Sequence, residues 1–148
     1  MIHTFQEIFE RDLLKLRDEI NLYPDEASLW VLQGEVNNSA GTLCLHLIGN
    51  LNHFIGAILG QNGYVRERER EFTARDIPRS ELLAGIDKTV QVVRESLLKV
   101  PETALAQPFP VEKHGQIVTT GYMLLHLVTH FNYHLGQVNY HRRLTSKL

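Results

Sequence analysis

Leu125-His126-Leu127-Val128-Thr129-His130-Phe131-Asn132-Tyr133-His134-Leu135-Gly136-Gln137 decides how this chain is read. Its three histidines recur every four residues inside an otherwise amphipathic helical pattern. Neighbours at i and i+4 lie roughly 40° apart around a helix and ~6 Å apart along it. His130 and His134 can therefore aim their imidazoles at one point, which is how a helix offers two nitrogens to a divalent metal. A third ligand has to come from another helix, and His46 is the candidate. A lone histidine on an apolar face is more simply a hydrogen-bonded core residue, so the metal reading rests on the combination.

Outward from this stretch, the periodicity predicts an all-α fold. Thr4-Phe5-Gln6-Glu7 reads as a capping box opening a first helix to about Leu22, with Phe5, Ile8, Phe9, Leu13, Leu16 and Ile20 on its apolar face. Tyr23-Pro24 stops it. Residues 24–38 form a connection with one short helical turn around Trp30. Asn37, Asn38 or Ser39 caps a second helix over about 40–59, closed by Gly60. A polar crossing from Gln61 to Ile77 follows, about 17 residues and too long for the loop between antiparallel neighbours. It suits a chain carried along the bundle, so that the second and third helices run parallel. Pro78 falls in the first turn of the third helix, which ends before Pro101. Two β-like pieces flank His114-Gly115 as a small hairpin. Thr119 or Thr120 caps the last helix, to about Arg143. One domain over residues 1–148 is expected, a four-helix bundle with a long crossing between helices 2 and 3.

Composition narrows the function. The chain has 148 residues, 43% hydrophobic and 22% charged, with a net charge of −2. That lacks the basic footprint of a nucleic-acid binder. No apolar run is read as approaching the roughly 20 residues of a membrane span. The first residues do not form a signal peptide, and a single cysteine permits no intrachain disulfide, so a cytoplasmic protein is expected.

His46 and His53 share a face of the second helix but stand ~10.5 Å apart along it, too far to share one ion. With the second and last helices antiparallel, His46 comes level with His130 and His134, and His53 with His126. One layer is then the metal site, the other a polar pair or pocket wall. Cys44 lies about 200° from His46 and is read as core packing. The His-Glu-x-x-His arrangement of zinc proteases is absent. Three neutral imidazoles leave a divalent ion with an open position, where a water is acidified or a thiol deprotonated. Zinc and nickel both suit such ligands. Asn50 and Gln137 are the candidates to orient the rings. Trp30 packs over the start of the second helix, with a pocket-wall role as its alternative. Arg66, Arg68 and Arg70 alternate with glutamates as a solvated run; the functional alternative makes Arg66 a clamp for an acidic ligand. His3, His114 and His141 are read as surface residues.

Asn38-Ser39-x-Gly41-Thr42-Leu43-x-Leu45-His46-Leu47, followed late by His130-Phe131-x-Tyr133-His134-Leu135-Gly136-Gln137, resembles the DinB/YfiT-like superfamily of metalloenzymes over nearly the whole chain. The Gly63-Tyr64-Val65-Arg66-x-Arg68 crossing resembles a less characterised branch of it. The resemblance implies an up-down-down-up bundle with His46, His130 and His134 as metal ligands. It also implies kinship with bacillithiol transferases and mycothiol-dependent maleylpyruvate isomerase, hence a small-molecule substrate and a low-molecular-weight thiol. The expected function is a divalent-metal-dependent enzyme with S-transferase-like chemistry. A catalytically silent metal-binding or dimeric scaffold and a metal-dependent hydrolase are the alternatives. A homodimer is expected, with Ile55, Ile58 and Leu59 apolar beyond core needs.

Overall fold

The computed structural model describes residues 1–146, and over them the fold is all-helical. Five helices form: α1 (Ile2–Asn21), α2 (Ala40–Leu51, continuing as a π-helix over Asn52–Leu59), α3 (Arg68–Thr73), α4 (Arg79–Leu98) and α5 (Thr120–Thr145). Among the described residues there is no β-strand, only the isolated antiparallel bridges Pro108–Thr119 and Lys113–Gln116. The second closes the expected turn, with His114 and Gly115 both at positive φ (50° and 76°), the two-residue geometry that tight hairpins use.

Each helix buries one stripe. In α1, Phe5, Phe9, Leu13, Leu16 and Ile20 point inward at helical spacing. Burying such side chains stabilises the fold by about 1.5–3 kcal/mol each. α1 starts earlier than the capping box suggests. Thr4 lies inside it, and the Ile2 N–H donates instead to Glu102 Oε1 at 2.8 Å. A carboxylate from a distant segment thus satisfies an unpaired donor at a helix N-terminus, where negative charge is favoured. The later caps are as read: Ser39 Oγ accepts from Thr42 N–H, and Thr119 Oγ1 from Tyr122 N–H.

Contacts fix how neighbouring helices run. α1 meets α4 head to tail, with Glu10 on Arg94 and Arg17 on Asp87. α1 and α5 run the same way, through Asp12–Asn132 and Glu19–Asn139. α2 and α4 are also parallel, as the long crossing suggests. Ile48 packs at Gly85, Asn52 Nδ2 donates to Thr89 Oγ1, and Gly56 and Gly60 sit against Val92 and Ser96. The partner offset drops from 37 residues in the first two pairs to 36 in the last two. The π-helical stretch explains the slip: its wider turns insert one residue into α2.

Three expectations change here. The crossing carries a helix, α3, which inserts Glu71 beneath the surface. Ala40–Leu59 is long and apolar enough to cross a membrane by length and composition, and is mostly buried inside the fold as a core helix. Ile55 is fully buried, while Ile58 and Leu59 are partly buried against the core, so less of this end of α2 is left uncovered than the sequence suggests.

Glu19 ties α1 to α5, accepting from Arg142 Nε at 2.6 Å and Asn139 Nδ2 at 2.7 Å. Burial works against its ionisation, but the hydrogen bonds from Arg142 and Asn139 prevail and lower its pKa. A depressed carboxyl contributes stability that is present above its unfolded value and lost as pH falls through the folded one. Glu19→Gln should therefore cost roughly 1.5–3 kcal/mol at neutral pH. Chemical denaturation of both proteins should show the difference shrinking below the ordinary carboxylate range. A difference that persists undiminished in strong acid contradicts this account.

Candidate metal centre

α2 and α5 bring His46, His130 and His134 together, with a coordinating atom from each lying within 4.8 Å of the others. The rings of His130 and His134, one turn apart, stand 4.6 Å centre to centre, and His46 lies 5.1 and 5.2 Å from them. His46 Nε2 and His130 Nε2 face each other at 3.1 Å. Two nitrogens roughly 2.1 Å from one ion would be about 3.0–3.4 Å apart at octahedral or tetrahedral angles. The spacing fits.

Outer contacts orient the rings. The Gln137 side-chain carbonyl accepts from His134 Nδ1 at 2.7 Å. Since Oε1 can only accept, that nitrogen carries the proton and Nε2 is left free to ligate. His46 Nδ1 lies 3.1 Å from Glu71 Oε1, and Arg66 grips the same carboxylate twice, at 2.9 Å each. His130 Nδ1 is buried with no protein partner. This is the outer nitrogen of the ring, and Nε2 is the one that faces His46.

Residues 3–147 match the family described as a protein of unknown function, DUF1572. The chain belongs to the DUF1572 family. No curated protein and no solved structure matches it at a significant level.

Electrostatically the DUF1572 centre favours the neutral form of its two imidazoles on α5. Burial, then the charges of His134, His46, His126 and Arg66, lower His130 to about 4. His134 is lowered by burial despite its bond to Gln137. Neutral imidazole is the ligating form, so these two positions have no proton to lose before a metal enters near pH 7.

The other sequence candidates lie as follows. His126 is half-buried beside the triad, its ring 6.1 Å from His130, and is not one of the converging donors. No ring contact or hydrogen bond joins His53 to His126 among the described residues. His53 falls in the π-helical stretch, edge-on to Phe54 at 4.7 Å between ring centres, and the charges of Arg66 and Glu71 act on it. Asn50 is buried without a hydrogen bond to any of the three histidines, so of these two amides Gln137 is the one that contacts a ring. Trp30 covers the start of α2: a Cβ on Gly41 would lie 2.6 Å from its Cζ2. Arg66 is not part of a solvated run; its side chain is 11% exposed and pairs with Glu71. Cys44 is core, its thiol pushed up to about 12 by burial. His141 is a correction, because it is buried rather than exposed. Its Nε2 donates to Val31 O, and its Nδ1 is hydrogen-bonded to the Tyr23 hydroxyl, both at 2.7 Å. That pairing belongs to the core and lies apart from the metal.

Sequence reasoning missed Glu71 and Phe72, whose ring is 4.9 Å from His46. Within Arg66-Glu67-Arg68-Glu69-Arg70-Glu71 the charges alternate with no period that singles out one carboxylate. The nearest signal was Gly49, a glycine inside an apolar helix with no local reason to be there.

Protein purified without a nickel column should carry stoichiometric divalent metal by elemental analysis. Added metal should raise the melting temperature, by linkage. The His130→Ala/His134→Ala double variant should lose both effects while keeping its helical circular dichroism. Cys44→Ala should keep them, since its thiol faces the core. Equal metal content in wild type and the double variant overturns the assignment.

Proposed function

We propose that this DUF1572 protein is a divalent-metal-dependent enzyme, with S-transferase-like chemistry on a small molecule and a low-molecular-weight thiol as co-substrate. The reading includes one DinB/YfiT-like domain over the whole chain, a four-helix bundle of up-down-down-up order. The run of contacts between helices supports that order: α1 with α5 and α2 with α4 in parallel, α1 against α4 in opposition. Zinc or nickel is the expected ion, because three imidazoles suit both.

One observation carries the proposal. Three histidines converge from two helices while two of them have their outer nitrogens engaged by Glu71 and Gln137. An ion held there is a Lewis acid towards a water or thiol at its open position. The chain's own residues supply neutral ligands, ring orientation and a site screened by Phe72. A cavity of about 410 Å³ is lined by Gln137, Leu43, Tyr140 and His141; none of the three histidines lines it, and Gln137 is its link to His134. Through that link it is the candidate seat for the part of the substrate away from the ion. Trp30 borders a different recess, with Ile77 and Pro78, and Arg66 is committed to Glu71, so the reading gives neither a substrate contact.

The homodimer stays in the proposal on a different surface from the end of α2. Residues 120–141 contain no Asp, Glu, Lys or Arg, and Tyr122, Leu125, Tyr133 and Tyr140 of this segment are each more than half exposed. An uncharged aromatic face meets its own copy without like-charge repulsion. In sedimentation equilibrium, Tyr133→Glu should shift the mass from dimer towards monomer. A wild-type mass that is monomeric at every concentration removes the dimer from the reading.

Cobalt-substituted protein tests the chemistry. Adding a low-molecular-weight thiol should produce a sulfur-to-metal charge-transfer band, and His46→Ala should weaken or shift it. Tyr140→Ala should raise the thiol concentration needed if the cavity holds the rest of the ligand. A cobalt spectrum that no thiol perturbs sinks the transferase reading and moves hydrolysis, or metal binding without catalysis, ahead of it.

A further inference from the structure

Glu71 is an expensive residue to place where it is. Its side chain is 7% exposed, and burying a carboxylate is costly unless it is paired and hydrogen-bonded. Arg66 answers the charge with two parallel bonds, Nε to Oε2 and a terminal nitrogen to Oε1, each 2.9 Å. An apolar pair of similar volume would commonly serve stability as well or better, so stability alone does not account for the choice.

The surroundings are cut to fit this carboxylate. Gly49 lies one turn after His46 on α2, and a Cβ there would overlap Glu71 Oε2. Glycine inside a helix costs about 1 kcal/mol relative to alanine. At this position it opens the notch that lets Glu71 reach the helix. The next residue, Phe72, lays its ring on His46, and Arg68 covers that ring at 5.2 Å. The short helix α3 thus delivers two adjacent side chains to one imidazole.

We infer that Glu71, clamped by Arg66 in the Gly49 notch, is a positioning residue that holds His46 as the Nδ1–H tautomer and turns Nε2 towards the other two histidines. This rests on the metal-centre reading for its purpose, though the tautomer itself is a property of the metal-free protein. The logic is that of donor and acceptor. An ionised carboxylate only accepts, so Nδ1 carries the hydrogen and, in the neutral ring, Nε2 is bare; the Arg66 terminal nitrogen, 3.5 Å from Nδ1, is closer to Glu71 Oε1 at 2.9 Å and donates there. Nε2 is the nitrogen that faces His130 at 3.1 Å. Ring orientation and basicity are then set from the crossing, a segment that contributes no ligand itself.

Long-range proton–nitrogen correlation of imidazole-labelled, metal-free protein reads the tautomer directly, at about pH 8 where free imidazole is neutral. Wild-type His46 should appear as Nδ1–H. Glu71→Ala should move it to Nε2–H or to a mixture. Gly49→Ala should do the same with Glu71 still present, because the added methyl displaces the carboxylate. Glu71→Gln retains one acceptor and should fall between. Chelator competition should show metal affinity weakened ~10–100-fold in Glu71→Ala and Gly49→Ala, and less in Glu71→Gln. Circular dichroism separates these effects from failure to fold. A His46 that is Nε2–H in wild type, or one whose tautomer is the same in wild type and Glu71→Ala, overturns the inference. If wild type binds no metal, the metal-centre reading fails by itself, and the tautomer comparison still decides whether Glu71 positions His46.

Discussion

Polar side chains buried between apolar helices must satisfy one another, and that constraint organises this molecule. His46 sits on α2 among Leu43, Leu47 and Leu51, all essentially inaccessible. A neutral imidazole there has one donor and one acceptor to place. Glu71 takes the donor, Arg66 neutralises Glu71, and the remaining nitrogen faces the pair on α5. Each partner imposes a requirement on the chain that supplies it. Glu71 needs a crossing long enough to carry a helix down onto α2, and it needs Gly49. His130 and His134 need α5 to lie alongside α2 with their turn level with His46.

The π-helical end of α2 belongs to the same arrangement. Upstream of it, α2 meets α4 with an offset of 37 residues and presents His46 to α5; downstream the offset is 36. The extra residue lets α2 keep its contact with α4 while changing the direction in which later side chains point. Wide turns of this kind interrupt the regular hydrogen-bond ladder and occur often near functional sites. Here the consequence is concrete. His53 lies in the widened turns, edge-on to Phe54, and makes no ring contact with His126.

The outer contacts of the three histidines are unequal. His46 answers to a carboxylate clamped by arginine, His134 to a neutral amide, and His130 to no protein group at its buried Nδ1. The histidine on the buried helix α2 is thus the one with a charged partner. The two on α5 share one helix and gain their relative placement from helical spacing alone.

What the sequence determined is whatever repeats locally. Apolar spacing marked the four long helices, Ser39 and Thr119 marked two starts, and the i,i+4 spacing of His130 and His134 placed both on one face, since a helix converts spacing into angle without outside help. Gln137 was legible because the same arithmetic aligns it with that face, and His46 as a histidine in the apolar pattern of another helix. Tertiary structure decided the rest. Glu71 emerged from a run of alternating charges only because α3 folds over Gly49, and Arg66 changed from a surface cation to its clamp. His141 is buried because Tyr23 and Val31, more than a hundred residues earlier, complete its hydrogen bonds. His53 lies in a π-helical stretch that helix propensity does not announce. A histidine, an arginine or a glutamate has the same local pattern on a surface as in a core, and the difference lies in distant partners that make its burial affordable.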